Sequence, residues 1–557
     1  MEKAKKQLTV LFAAILIATT AFGQSEEFEI SKNIDIYSTL FKELSLNYVD
    51  DIKPGELNQT AIDAMLKSLD PYTVYISESE IEDYKFMTTG QYGGIGALIQ
   101  KQDDYVVISE PYEGFPADKA GIIAGDKIVK IDGKSMKGKQ ADQVSELMKG
   151  QPGTTFELTI ERPGVDELIT KTITREKIKI DDIPYYGLIK DDVGYIKLRS
   201  FTQNSGNNVR DAFQELKNRT DLNGVILDLR NNGGGLLSEA VNITNLFVEK
   251  GETIVKTKGK LPDKNKTYKT SRSPVDTDIP VVVLVNGRSA SASEIVSGSL
   301  QDLDRGVLIG RSTFGKGLVQ NIIPLSYNTK AKITVAKYYI PSGRCIQEID
   351  YSKNDGNGNG EQVPDSLIET YKTRNGRTVY DRKGIEPDIK IEKEEPSRIA
   401  YTLYSRNHIF DFANRFYQEH DTIAGPADFK ITPEIYKEFT EFLKDKEFEY
   451  TTKTEESLEK LIETAKKEKY YKFIEKDISH LKEQLLSHKK NDLQTFKDDI
   501  QKFLLNEIVS RYYYQSGAIE SSLDSDPFIQ EALDVIHNGA RYKEILTVKE
   551  TETSGKE

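Results

Sequence analysis

Four short runs fix the kind of sheet this chain can build: VGYIKLRSF from Val193, GVILDLR from Gly224, PVVVLVNG from Pro280 and GVLIGR from Gly306. Each is rich in Val, Ile and Leu with little polar alternation, the pattern of a strand buried on both faces. Between them stand the helical repeats NNVRDAFQELKNR and LSEAVNITNLFVE, and a stretch of small residues, GRSASASEIVSGS. Strands alternating with helices predict an α/β core whose sheet is covered on both sides. KITVAKYYI, from Lys332, adds a further strand.

The flanks differ in kind, and at 557 residues the chain is too long for one ordinary core. STLFKELSLNYV and LNQTAIDAMLKSLDPY repeat apolar residues every three or four positions and predict a helical segment over 24–90. From Gln91 to about 176, short alternating strands broken by Gly and Asp-Gly turns predict a compact β-rich module. The α/β core then runs over 177–396. Residues 397–557 read as charged amphipathic helices with their Tyr, Phe and Leu on the inner face.

A net charge of −13 argues against nucleic acid as a partner, since phosphate binding needs clustered Lys and Arg. Lys3, Lys5 and Lys6 precede LTVLFAAILIATTAFG, an apolar run too short to span a membrane and ending in small residues. It predicts a secretory leader over 1–23, hence a mature protein that is secreted, periplasmic in a Gram-negative cell, and without a membrane span. The one cysteine, Cys345, cannot form an internal disulfide and reads as a packing residue. DGNGNGEQVPDS resembles the start of a calcium loop, but Ser366 stands where a bidentate Glu is needed, so it reads as a surface turn. No metal or cofactor is expected.

All five histidines lie at or beyond position 408, so a serine nucleophile in the α/β core would need another base. STFGKGLVQ offers Lys316 between two glycines, with no carboxylate from Ser312 to Leu325. A lysine acts as a base only when neutral, and desolvation away from anions produces that state. LDLRNNGGGLL runs a buried strand into three glycines and a helix, a place where backbone N–H groups can face an oxyanion. Ser-x-x-Lys patterns at Ser457 and Ser487 fall on charged helices and carry no such setting.

LKSLDPYTVYIS, GQYGGIGALI, GDKIVKIDG, LDLRNNGGG, SASASEI, TFGKGLVQ and GIEPDI stand, in that order, between about Leu40 and Ile391. Together they resemble the carboxyl-terminal processing, or tail-specific, proteases. The resemblance implies a crotonase-like α/β protease core with an inserted PDZ domain, a nucleophile at Ser291 and a base at Lys316. It implies Gln320 as the third member, with Asp302 as the alternative, and Glu294 as a supporting residue. The oxyanion donors would be the N–H groups of Ala292 and Gly234. In YGGIGALI, Gly94, Ile95, Gly96 and Ala97 map onto the loop with which PDZ domains hold a peptide's terminal carboxylate. The partners implied are protein or peptide substrates with free C-termini, with a second copy or an adaptor also open. Two rivals stand beside this reading: a non-catalytic PDZ scaffold or chaperone, and a crotonase-like enzyme acting on thioesters.

Overall fold

The computed structural model describes residues 26–353, 355–392 and 395–548; the expected leader over 1–23 lies outside them. The chain divides into two compact units, residues 1–75 with 351–360, and the remainder. In the first, residues 26–47 and Pro54–Lys67 are helical, and Asp70 caps the following loop by accepting from the N–H groups of Tyr72 and Thr73, each at 2.8 Å. The carboxylate of Asp355 is taken up by its own turn, accepting from the N–H of Asn357 at 2.8 Å and from the Asn359 amide at 3.2 Å.

The second unit opens with the β-rich module. Five antiparallel strands lie in the order Ala97–Gln102, Tyr105–Pro111, Lys127–Ile131, Thr155–Glu161, Ile169–Thr174. They pack Ile108, Ile128, Leu158 and Ile160 against Val144 and Met148 of helix Ala141–Met148. Gln91–Gly94 pairs with Glu176–Lys179, so the strands entering and leaving the module run side by side.

The α/β core is a six-stranded sheet in the order Tyr185–Ile189, Val193–Lys197, Gly224–Asp228, Val281–Val285, Val307–Gly310, Ile389–Lys390, parallel except for the first strand. Alternation sorts its side chains. Val225, Leu227, Val281, Val283 and Leu308 face helices Ser205–Arg219, Leu237–Thr244 and Ala292–Asp302. Ile226, Val282, Leu284, Val307 and Ile309 face the other way. A second, antiparallel sheet joins Leu318–Pro324, Lys330–Tyr339, Thr253–Gly259 and Lys266–Lys269.

The cover on the second face of the core comes from the end of the chain. Leu523, Ile529, Leu533 and Ile536, on and just before helix Pro527–His537, close over that face with Tyr542, whose hydroxyl accepts from the N–H of Val281 at 3.0 Å. These helices are therefore core, not solvated rods. Helices Arg398–Ser405, His408–Glu419, Pro433–Phe442 and Lys497–Ser522 form a cluster around Phe412, Phe416, Phe439 and Leu504. The last of them breaks at Tyr513 and Tyr514, where Tyr514 takes φ 53°. The Tyr514 hydroxyl donates to Asp118 of the β-rich module at 2.8 Å, and Phe410 packs on Val107 and Ala124.

Candidate active site

The stretch Gly287–Ser299 leaves strand Val281–Val285 and turns into helix Ala292–Asp302. Four of its five serines are tied to main chain. Ser289 donates to the carbonyl of Leu229 at 2.8 Å, Ser293 to Asn232 at 2.8 Å, Ser297 to Ser293 at 2.8 Å and Ser299 to Ile254 at 3.1 Å. Small hydroxyls are needed there because the backbone turns tightly and its polar groups are buried. The fifth, Ser291, is partly exposed and sits at the helix N-cap with φ 56° and ψ −112°, outside the regions open to L-residues. Such a conformation costs on the order of 1–3 kcal/mol and persists only where its surroundings impose it.

Those surroundings are identifiable. Glu294 is fully buried, and its two carboxyl oxygens meet four donors. One oxygen accepts from the N–H of Ser291 at 2.7 Å and of Lys316 at 2.9 Å. The other accepts from the N–H of Gly315 at 2.7 Å and the hydroxyl of Thr313 at 2.6 Å. Burial pushes this carboxyl up to about 7, against the opposing pull of the four donors. Behind it, the buried Tyr338 directs its hydroxyl at the carbonyl of Lys316, 2.8 Å away, and that of Ser291, 3.2 Å away. Two N–H groups on one oxygen lie less than about 6 Å apart. The structure thus brings the main chains of Ser291 and Lys316 together across 25 positions of sequence, gripped at their N–H groups by Glu294 and at their carbonyls by Tyr338.

The glycine loop abuts the same turn. Gly234 has φ 100°, and a Cβ there would meet the carbonyl of Ala290 at 2.7 Å, Ser291 Cβ at 2.9 Å and the N of Ala292 at 3.0 Å, so only glycine fits. The Gly234 N–H donates to the Asn232 side chain at 2.9 Å, so this chosen oxyanion donor is already engaged. Ala292 opens its helix, where N–H groups have no partner within the helix. Asn232, fully buried, also accepts from the N–H of Ala290 at 3.0 Å and so ties the glycine loop to the serine turn. Upstream, Asp228 is held well below the usual carboxylate range: its burial works the other way, but Lys197 at 3.0 Å and Arg230 at 2.7 Å outweigh it. Arg230 also reaches Asp526 of the C-terminal helices at 2.7 Å.

Two sequence candidates have other partners. Asp302 lies at the far end of helix Ala292–Asp302, about 15 Å from Ser291 along the axis, and accepts from Arg344 at 2.8 Å and the N–H of Ser342 at 2.9 Å. Gln320 stands at a bulge in strand Leu318–Pro324 and donates to Thr334 at 3.1 Å. Cys345 lines a cavity with Lys337, Tyr339 and Gln347, and burial pushes its thiol up, away from nucleophilic character.

In the β-rich module, Gly94 ends a strand, and the carbonyls of Ile95 and Gly96 accept from Ala117 and Tyr112, each at 2.8 Å. Ala97 opens strand Ala97–Gln102, an edge of its sheet that has helix Ala141–Met148 beside it. An edge strand next to a helix is the arrangement to which a peptide can add as a further strand.

Three family descriptions match the chain: "Peptidase family S41" over residues 192–354, "PDZ domain" over 107–162, and a PDZ-protease C-terminal helical domain over 399–536. A carboxy-terminal-processing protease of Bartonella bacilliformis is 37% identical over 342 residues, covering 61% of this chain and 78% of that protein. The chain belongs to the carboxy-terminal-processing proteases, serine-type peptidases with a PDZ domain. A CtpA-like serine protease of Staphylococcus aureus is 32% identical over 474 residues, covering 82% of this chain and 91% of the relative. A solved photosystem II D1 C-terminal processing protease is 28% identical, covers 63% of this chain and 91% of its own, and has a TM-score of 0.35.

In this carboxy-terminal-processing protease, sequence reasoning passed over Tyr338, Asn232 and Thr313. The available signal was Tyr338 itself, a tyrosine on the inward side of a half-buried strand, where its hydroxyl must find a partner.

Proposed function

We propose that this protease cleaves peptide bonds by acyl transfer through Ser291 with Lys316 as the base. The Ser291 hydroxyl oxygen attacks the scissile carbonyl while its proton passes to the neutral Lys316 amine. The Ala292 N–H and an N–H of the glycine loop at 233–235 receive the oxyanion. Collapse breaks the C–N bond, and the leaving amine takes the proton back from Lys316. Water, giving a proton to the same amine, then attacks the acyl carbonyl; the bond to the Ser291 oxygen breaks, and that oxygen takes the proton back from Lys316. The observation that carries this reading is the double grip of Glu294 and Tyr338 on the two main chains. A scaffold has no use for a strained serine held against a lysine loop.

Gln320 is assigned as the residue that orients the amine, and Asp302, paired with Arg344, is assigned to stability. The loop Gly94–Ala97 is assigned to the substrate's terminal carboxylate, with the tail adding to edge strand Ala97–Gln102. The core is assigned to the crotonase-like class on its strand-helix order, and export is assigned on the basic, apolar and small-residue pattern of residues 1–23.

The test incubates the full chain, Ser291→Ala and Lys316→Ala with an unfolded protein, ending either in a free carboxylate or in an amide. Cleavage is expected from the parent alone, and faster for the free tail by at least about tenfold, the worth of one lost charged hydrogen bond. Cleavage by either variant at the parent rate overturns the chemistry; equal rates on both tails overturn carboxylate capture. Changing the substrate is the cleaner test of the loop, because a Cβ at Gly94 would strike the Tyr92 ring at 2.6 Å and one at Gly96 would strike Phe115 at 2.5 Å.

A further inference from the structure

Helices Lys453–Lys467 and Tyr471–Lys489 form a hairpin with a small core of Leu458, Ile462 and Ile478. Towards its base the lysines are paired: Lys489 with Glu455 at 3.1 Å, Lys482 with Glu459 at 2.9 Å. At its tip the chemistry changes. From Ala465 to Lys476 there are five lysines (466, 467, 469, 472, 476) against two glutamates, in a chain of net charge −13. Among the described residues none of these five makes an ion pair; Lys466 instead lies over the Tyr471 ring, 5.1 Å from its centre. Between them Tyr470 is 63% exposed and Phe473 81% exposed, their ring centres 6.5 Å apart. The expected inner placement of the aromatic residues fails here: these two rings point away from the hairpin core.

We infer that this tip docks on the surface of an anionic phospholipid membrane. Exposed rings among lysines suit the headgroup layer, where aromatic side chains settle at the interface and ammonium groups lie against phosphates. The tip is narrow and convex, a shape that a deformable lipid surface accepts and a protein partner could meet only with a groove. All the cations are lysines, with no arginine between 453 and 490, so the tip offers mobile point charges, suited to a fluid layer of headgroups, and lacks the planar fork that grips one carboxylate or phosphate in a fixed geometry. That favours a field of phosphates over an acidic polypeptide.

The experiment measures co-sedimentation of the full chain with phosphatidylglycerol-containing and pure phosphatidylcholine vesicles. The apolar run of residues 8–23 would bind both kinds, and Lys3, Lys5 and Lys6 beside it would add an anionic preference of their own, so the quantity read is the anionic-to-neutral ratio of the parent against that of each variant. Each lysine near such a surface contributes roughly fivefold, so the parent ratio should exceed tenfold and fall in 0.5 M salt. Replacing Lys466, Lys467, Lys469, Lys472 and Lys476 together by Gln should lower the ratio by more than about tenfold. Phe473→Ser should lower anionic binding several-fold, and neither variant should change cleavage of a soluble substrate. A parent ratio near one overturns the inference, as does a ratio that these variants leave unchanged. Binding of soluble polyglutamate as tight as vesicle binding, and indifferent to Phe473→Ser, overturns it in favour of an acidic protein.

Discussion

Around Ser291 the side chains of Ser289, Ser293 and Glu294 are committed to particular main-chain partners, whereas helix Pro527–His537 meets the core sheet through aliphatic side chains such as Ile529, Leu533 and Ile536. The first region spends stability: a serine at φ 56° and a buried carboxyl raised to about 7 both weigh against folding. The second supplies it by taking apolar surface out of water. A strained site needs such a reserve elsewhere, and in this chain the reserve lies more than 230 residues away in sequence.

Ending the chain at Ser522 is expected to have the largest effect. It uncovers Ile226, Val282, Leu284 and Ile309, each worth roughly 1.5–3 kcal/mol when buried, against a typical total stability of about 5–15 kcal/mol. Circular dichroism and urea titration should show no cooperative core transition; a normal one would erase the contrast. Ser291→Gly comes next and acts in the opposite sense. Cleavage should fall by at least about a thousandfold while stability rises by about 1 kcal/mol, because glycine tolerates the positive φ; an unchanged or lower urea midpoint would show that the strain is absent.

Glu294→Gln tests the buried carboxyl. Between its ordinary 4.5 and about 7 the folded chain keeps a proton that the unfolded chain has released. Stability should therefore decline across that window as pH rises, by up to about 3 kcal/mol. The amide should flatten the decline while lowering stability overall, since one of its two ends cannot accept from the donors facing it. A slope identical to the parent's would remove the carboxyl as its source. Ile536→Ala, in contact with Gly224 of the sheet, should cost about 2–4 kcal/mol and leave kcat per folded molecule unchanged. Tyr338→Phe is the smallest and sharpest test: kcat down about tenfold with KM unchanged, for the loss of one hydroxyl donor to two carbonyls.

The same contrast governs what could be read in the sequence. The core strands at Val193, Gly224, Val281 and Val307 were legible because burial on both faces leaves little but Val, Ile and Leu. The serine turn was legible because tight turns and buried main chain admit few residue types. The role of the last helices was not: an apolar stripe says that a helix is covered, but not by what. The break at Tyr513 and Tyr514 has no proline or glycine to announce it, and the Arg344 that takes up Asp302 is 42 positions away. Tyr470 and Phe473 followed the helical repeat and so looked internal, but the hairpin ends before anything can cover them.

The bond between Tyr542 and Val281 joins segments made far apart in time. Synthesis delivers the strand, the serine and the lysine well before it delivers the helix that closes the sheet beneath them. A nascent chain therefore carries strand Val281–Val285, Ser291 and Lys316 yet lacks the cover of that strand until the residues from Ile529 to Tyr542 emerge. The core sheet can close only after those residues are made, so its folding follows the synthesis of the serine turn rather than accompanying it.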